Sequence, residues 1–145
     1  MELRKFIERT AATGILGVKI TQNGEDMGKH LWDEECRRNI YSASKSFTSA
    51  AVGIAVKEGL LRLEERLVDA FSEDIPENPN EFLQQATVRD LLTMCLGQQN
   101  AELMGGQRPF YQQKDWVRMS LAFPFTECPG KRFLYNNVGP YLAGI

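Results

Sequence analysis

The sequence predicts an α+β fold that is mostly helical and contains one short antiparallel hairpin. Residues 14–32 combine β-branched side chains with an Asn23-Gly24 pair, which is a strong signal for a two-residue hairpin turn. Residues 42–59 place apolar side chains at the i, i+3, i+4 spacing of a helix. Beyond Gly59 the chain changes to short helical patterns interrupted by five of its six prolines, with little strand pattern.

The composition of the 145-residue chain is typical of a globular protein with a packed core. Hydrophobic residues make up 43% and charged residues 25%, and 17 Lys and Arg against 19 Asp and Glu give a net charge of -2. The basic residues are scattered, which argues against a nucleic-acid partner. No apolar run is long enough to cross a bilayer, and residues 1–10 mix charges in a way that a secretory leader does not. We therefore expect a cytoplasmic protein without a membrane partner.

The cysteines do not predict a metal site. Cys36, Cys95 and Cys128 are far apart, form no CxxC pair and have only His30 as an imidazole partner. In the cytoplasm such thiols are reduced, so we expect neither a disulfide nor a bound metal. The Met104-Gly105-Gly106 segment lacks the spacing and the lysine of a phosphate-binding loop, and we expect no cofactor.

The first predicted element, at residues 14–32, is the hairpin. Ile15, Val18 and Ile20 supply the first strand, and residues 27–32 supply the returning strand. His30 falls in the returning strand, where a structural role is more typical than a catalytic one.

The second predicted element, residues 42–59, is a helix with only a narrow polar strip. Its main apolar face contains Phe47, Ala50, Ala51, Ile54 and Ala55. Val52 and Val56 widen that face, which is typical of a helix in the interior of a protein. Gly59 provides the stop, so Ser42 lies at the amino end, where unpaired N–H groups and the helix dipole favour negative charge.

The later elements are short helices and turns. Residues 87–90 form a capping box ahead of Leu91, and residues 114–122 form another short helix. A turn at Pro129-Gly130 precedes a loop, after which the chain is helical again from residue 138. We expect residues 1–60 to be the amino-terminal part of an α/β layer that carries the nucleophile helix. Residues 61–145 are expected to be part of a helical region that is truncated.

The Ser42-Ala43-Ser44-Lys45 segment places a hydroxyl and an amine on one helix face. An amine whose charge is disfavoured by its surroundings can remove the proton of a nearby hydroxyl, so the pair is a candidate acyl-transfer nucleophile and base. Ser and Lys are common residues, and this spacing alone also arises by chance.

Tyr135 and Asn137 lie in the loop after Pro129-Gly130. A phenol can relay a proton, and an amide can bind a substrate carbonyl or hold a lysine. On local grounds a half-buried aromatic residue and a helix cap are the alternative interpretations of the two residues.

These segments together resemble the serine β-lactamase and penicillin-binding protein superfamily. The resemblance is greatest to its branch of class C β-lactamases, D-alanyl-D-alanine peptidases and related esterases. It extends along nearly the whole chain, and Ser-x-x-Lys is a known signature of these enzymes. The segments that carry it are residues 38–49, RNIYSASKSFTS, residues 87–94, TVRDLLTM, Pro129-Gly130, and residues 133–142, FLYNNVGPYL.

The resemblance implies a role for each candidate residue. Ser42 is implied to be the acylated nucleophile, Lys45 to accept its proton, Tyr135 to transfer a proton to the leaving group, and Asn137 to hold Lys45 and the substrate amide. The Ser42 N–H would form one half of an oxyanion hole, and the other half would come from a strand outside this sequence.

The chain departs from the family pattern in two places. After residues 91–94 the family continues with Thr-Ser-Gly, whereas this chain has Cys95-Leu96-Gly97 and keeps only the glycine. Family members are much longer, and their third motif, Lys-Thr-Gly or His-x-Gly on an inner strand, is expected beyond residue 145.

Two hypotheses follow for the function. The first is a β-lactamase-related serine hydrolase that forms an acyl-enzyme with a small amide or ester substrate and is incomplete at 145 residues. The second is a truncated non-catalytic remnant that acts through association with another chain. Under both we expect exposed apolar surface on the central helix. We expect that surface to drive either pairing with a second copy or with a missing carboxy-terminal half, or a different packing.

Overall fold

The hairpin around Asn23-Gly24 forms as the sequence predicts. The computed structural model describes residues 3–145, and in it strand β1 (Gly17–Gln22) pairs antiparallel with strand β2 (Glu25–Leu31). Asn23 and Gly24 have φ angles of 53° and 83°. This left-handed backbone matches the twist of the two strands, which is why the Asn-Gly pair is favoured here.

Residues 3–40 form a compact unit in which helix α1 (Arg4–Thr10) packs beside the hairpin. The rings of Phe6 and Trp32 are 6.4 Å apart, and the His30 ring meets the Trp32 ring edge-on at 4.7 Å. His30 therefore lies in β2 as predicted and contributes to an aromatic cluster.

Residues 41–145 form a second compact unit, which is mostly helical. Its helices are α2 (Lys45–Lys57), α3 (Leu67–Ala70), α4 (Glu81–Gln85), α5 (Val88–Thr93), α6 (Trp116–Ala122) and α7 (Val138–Leu142). Two 3-10 turns, Tyr41–Ser44 and Arg108–Phe110, accompany them. The predicted division into an α/β layer (residues 1–60) and a helical region (residues 61–145) stays a prediction.

Helix α2 ends where the sequence predicts but is far more exposed than an interior helix. Gly59, with φ +74°, follows its last turn and donates its N–H to the Val56 carbonyl. Val52 is its buried residue, whereas Phe47 is 71% exposed and Ile54 is 58% exposed. The prediction of an interior helix is wrong for this chain, because apart from the adjoining 3-10 turn the helix that packs against α2 is the short helix α7. The exposed apolar surface expected on this helix is present.

The core of the second unit lies where α5 and α7 cross. A Cβ on Gly139 would be 2.3 Å from the Leu91 carbonyl oxygen, so α7 packs with its backbone against that of α5. The capping box predicted at the start of α5 forms between Thr87 and Asp90. The buried residues around this crossing are Leu67, Leu83, Ala86, Leu91, Leu96, Leu103, Met119, Leu121, Phe125, Val138 and Leu142.

Helix lengths in the described chain are short. The longest, α2, has 13 residues, and within residues 3–145 no helix has both the length and the apolarity that crossing a bilayer requires.

Candidate active site

Ser42 and Lys45 meet at the junction between a 3-10 turn and helix α2. Ser42 lies within the turn and Lys45 is the first residue of α2, so the α-helix begins three residues later than predicted. The three-residue spacing still places both side chains on one face, and Lys45 Nζ donates a hydrogen bond to Ser42 Oγ at 3.0 Å.

The residue before the serine has an unusual backbone. Tyr41 has a φ of 45°, which is rare for a residue with a side chain and costs about 1 kcal/mol. The turn is closed by Ser44 Oγ, which donates to the Tyr41 carbonyl at 2.6 Å. Strained backbone of this kind concentrates at functional sites. Nothing in the sequence indicated it, because tyrosine has no intrinsic preference for this conformation.

Tyr135 completes a three-residue cluster with Ser42 and Lys45. Lys45 Nζ lies 5.1 Å from the centre of the Tyr135 ring. A hydrogen bond with Ser42, a second with Lys45 and the Lys45 charge together lower the pKa of the Tyr135 phenol below its ordinary value, against a smaller effect of desolvation. A hydroxyl, an amine and a phenol therefore lie next to one another, an arrangement that suits proton transfer.

Main-chain hydrogen bonds position the loop that carries Tyr135. The Leu134 N–H donates to the Met94 carbonyl at 2.9 Å, and the Gly130 N–H donates to the Cys95 carbonyl at 2.8 Å. Met94 ends α5 in the left-handed conformation, with φ 55°, which turns the chain towards this loop. The end of α5 is therefore the support of the tyrosine.

The Cys95-Leu96-Gly97 segment packs closely despite its departure from the family pattern. Gly97 has φ +78°, and a Cβ there would lie 2.0 Å from the Glu127 carbonyl oxygen. The Gly97 carbonyl in turn accepts hydrogen bonds from the N–H groups of Thr126 and Glu127, at 2.8 and 3.1 Å. The glycine, which this chain shares with the family pattern, is the residue that this contact requires.

The side chain of Asn137 is bound to the main chain of Leu103. Its Nδ2 donates to the Leu103 carbonyl at 2.9 Å. The helix cap comes from its neighbour: Asn136 is 1% exposed and its Oδ1 accepts the Gly139 N–H at 3.2 Å. Sequence reasoning missed Asn136, although an Asn three residues before a helical N–H is a capping signal. The role of Asn137 at Lys45 stays a prediction.

The cluster lies at the surface. Ser42 is exposed, Lys45 is half-buried and Tyr135 is 39% exposed. Solvent screens charges in such a position, so the three side chains can activate a hydroxyl but do not by themselves exclude water from a substrate.

The three cysteines are the residues that a metal site or a disulfide would use. Cys36 is exposed, Cys95 and Cys128 are half-buried, and all three are free thiols. Within residues 3–145 no three His, Cys, Asp or Glu side chains come together in the way that a metal centre needs.

Comparison with known proteins gives a family and a fold. A family model of beta-lactamases matches residues 3–145. The structure is similar to that of a Bacillus anthracis protein described as a 6-aminohexanoate-dimer hydrolase, with a TM-score of 0.61 and 17% sequence identity. The match covers 99% of this chain and 41% of the Bacillus anthracis chain, so this chain spans less than half of that protein. No curated protein matches this sequence.

Proposed function

Because the chain belongs to the beta-lactamase family, we propose that it is the nucleophile-bearing part of a serine hydrolase that works through an acyl-enzyme. The observation that supports this most directly is the cluster in which Lys45 donates a hydrogen bond to Ser42 and lies against the Tyr135 ring. A hydroxyl becomes a useful nucleophile when a neighbouring group can take its proton, and this cluster supplies two such groups.

The reaction runs in two steps. Ser42 Oγ transfers its proton to the neutral amine of Lys45 or to the phenolate of Tyr135 and attacks the carbonyl carbon of an amide or ester. The tetrahedral intermediate collapses, the bond to the amine or alcohol breaks, and Tyr135 donates a proton to that leaving group. Where Lys45 took the first proton, it passes that proton on to Tyr135. Water then attacks the Ser42 ester, releases the acid and restores the hydroxyl.

The substrate we propose is a small amide or ester, and the reaction class agrees with the hydrolase description of the Bacillus anthracis protein. We propose a cytoplasmic location, which the three free thiols support because such thiols persist in reducing compartments.

A second candidate function is a non-catalytic remnant that binds another chain. An apolar groove of about 430 Å³ lies between α2 and the last residues of the chain, lined by Phe47, Thr48, Ala51, Val52, Ala55, Leu61, Ala143, Gly144 and Ile145. Exposed apolar surface of this kind is typical of an interface. It favours association with a second copy or with a complementary carboxy-terminal half.

Covalent labelling of Ser42 tests the first function against the second. The chain is incubated with a fluorophosphonate or a fluorescent penicillin, and the modified residue is located by mass spectrometry. We expect wild type and the control Ser49→Ala, an exposed serine of α2, to be labelled, and Ser42→Ala to be unlabelled. A folded wild-type chain that stays unlabelled contradicts the hydrolase proposal.

Light scattering tests the second function. We expect the chain to form a species larger than a monomer at micromolar concentration. A compact monomer that binds no hydrophobic dye counts against association.

A further inference from the structure

Arg132 lies in the loop that carries Tyr135, midway between the hydrogen bonds that the N–H groups of residues 130 and 134 donate. Its guanidinium contacts two other segments of the chain at once. Nε lies 2.7 Å from Glu127 Oε1, and Nη2 donates to the Gln98 carbonyl at 3.1 Å. A guanidinium is planar and rigid, so contacts in two directions fix its orientation as well as its position.

Both partners of Arg132 are themselves held in place. Gln98 is 1% exposed, and its Nε2 donates to the carbonyl of Ser120, a fully buried residue of α6, at 3.0 Å. The Glu127 N–H donates to the Gly97 carbonyl at 3.1 Å, so the backbone of Glu127 is tied to the residue next to Gln98. Arg132 therefore connects the loop that carries Tyr135 to the packed interior of residues 41–145.

The position of Arg132 determines the position of the phenol because the two residues are close in sequence. Burial alternates between exposed and covered from residue 133 to residue 136, which is the pattern of an extended chain with little slack. A shift of Arg132 would therefore reach the contact between the Tyr135 ring and Lys45 Nζ, which are 5.1 Å apart. A displacement of about 1 Å at a reacting group can cost about 10²-fold in rate.

We propose that Arg132 is a positioning residue for Tyr135, and that it keeps the phenol against Lys45 by tying the loop to Glu127 and Gln98. The inference rests on the proposed function, in which Tyr135 transfers protons. The side chains of Arg132 and Glu127 are 40% and 41% exposed, so solvent screens their attraction and the pair adds little to overall stability. Its effect is on the geometry of the loop.

Glu127→Ala tests this proposal because it separates position from charge. Removal of a negative charge by itself favours the phenolate and would lower the pKa of Tyr135. Loss of position has the opposite effect, because it weakens the contacts with Ser42 and Lys45 that hold this pKa below its ordinary value. We therefore expect the pKa to rise towards 10.0. The pKa is read from the difference between ultraviolet titrations of the chain with and without Tyr135→Phe.

Arg132→Met should also raise the pKa of Tyr135, and adding Glu127→Ala to it should change little more, because both substitutions break the same link. Lys131→Met removes an equal charge from the exposed neighbouring residue and should leave the pKa close to that of wild type. The urea midpoints of Glu127→Ala and Arg132→Met should stay near that of wild type. A pKa in Glu127→Ala at or below the wild-type pKa, or an equal rise in Lys131→Met and Arg132→Met, overturns the inference. Glu127→Ala decides the matter if Arg132→Met does not fold.

The rate at which a fluorophosphonate labels Ser42 is the second measurement. We expect it to fall by about tenfold in Glu127→Ala, less than the loss of about 10²-fold or more that removal of a general base causes. Unchanged rates in Glu127→Ala and Arg132→Met contradict the inference. A wild-type chain that is never labelled is a different result: it defeats the proposed function, and the titration still decides whether Arg132 positions Tyr135.

Discussion

Replacement of Gly97 by alanine tests the close main-chain contact beside the loop that carries Tyr135. An L-residue in the left-handed conformation of Gly97 costs about 1 kcal/mol. The new Cβ would also lie 2.0 Å from the Glu127 carbonyl oxygen, so the two segments must separate by about 1 Å. That movement breaks the hydrogen bonds from Thr126 and Glu127 to the Gly97 carbonyl, at about 1 kcal/mol each. We expect a total loss of about 3 kcal/mol in the free energy of unfolding.

Gly59→Ala is the matched control. Gly59 has nearly the same backbone, with φ +74°, but apart from its chain neighbours no residue has a heavy atom within 4 Å of the position that its Cβ would take. Its replacement should therefore cost only the conformational part, about 1 kcal/mol. The difference of about 2 kcal/mol between the two variants measures the close contact itself.

Urea denaturation provides the assay. The chain has two tryptophans, so a Trp32→Phe background leaves Trp116 to report on residues 41–145. Stability is taken from the linear dependence of the unfolding free energy on urea concentration. A Gly97→Ala chain that is no less stable than Gly59→Ala would refute the reasoning.

Three further predictions concern the site, the α5 cap and the exposed helix. The interactions of Tyr135 favour its phenolate, so the difference between the ultraviolet titrations of wild type and Tyr135→Phe should show ionisation below the ordinary pKa of 10.0. Lys45→Met should raise the pKa of that ionisation. A wild-type ionisation at or above the ordinary pKa would count against the cluster. Asp90→Ala removes the carboxylate that accepts hydrogen bonds from the Thr87 N–H and hydroxyl, at 2.9 and 2.7 Å. It should lower the free energy of unfolding in urea by about 1 to 2 kcal/mol. An unchanged free energy would mean that the capping box contributes nothing to stability. Phe47→Asp changes a side chain that is 71% exposed, so it should reduce self-association, measured by sedimentation, without loss of stability. An unaltered mass distribution would exclude α2 as the interface.

Sequence reasoning succeeded where the physics is local. The Asn23-Gly24 turn, the box between Thr87 and Asp90, and the end of α2 at Gly59 each depend on a few neighbouring residues. Their backbone preferences are built into those residue types, so the pattern alone was sufficient.

The parts that could not be predicted depend on contacts distant in sequence. The partner of Asn137 is a carbonyl 34 residues away, on a loop whose path no local pattern indicates. The left-handed backbone of Tyr41 is equally a result of its surroundings. The apolar pattern of α2 predicts that something covers this helix in the complete fold, but it does not say whether this chain provides the cover.

The loop that carries Tyr135 is held by main-chain hydrogen bonds, because its N–H groups donate to the carbonyls of Met94, Cys95 and Glu102. Every amino acid has the same carbonyl, so a change of side chain at Met94, Cys95 or Glu102 leaves these hydrogen bonds in place. Gly97 is the exception, because any side chain there would collide with Glu127. Support of this kind tolerates changes of side chain, and it suits a fold that two chains share at a TM-score of 0.61 with only 17% sequence identity.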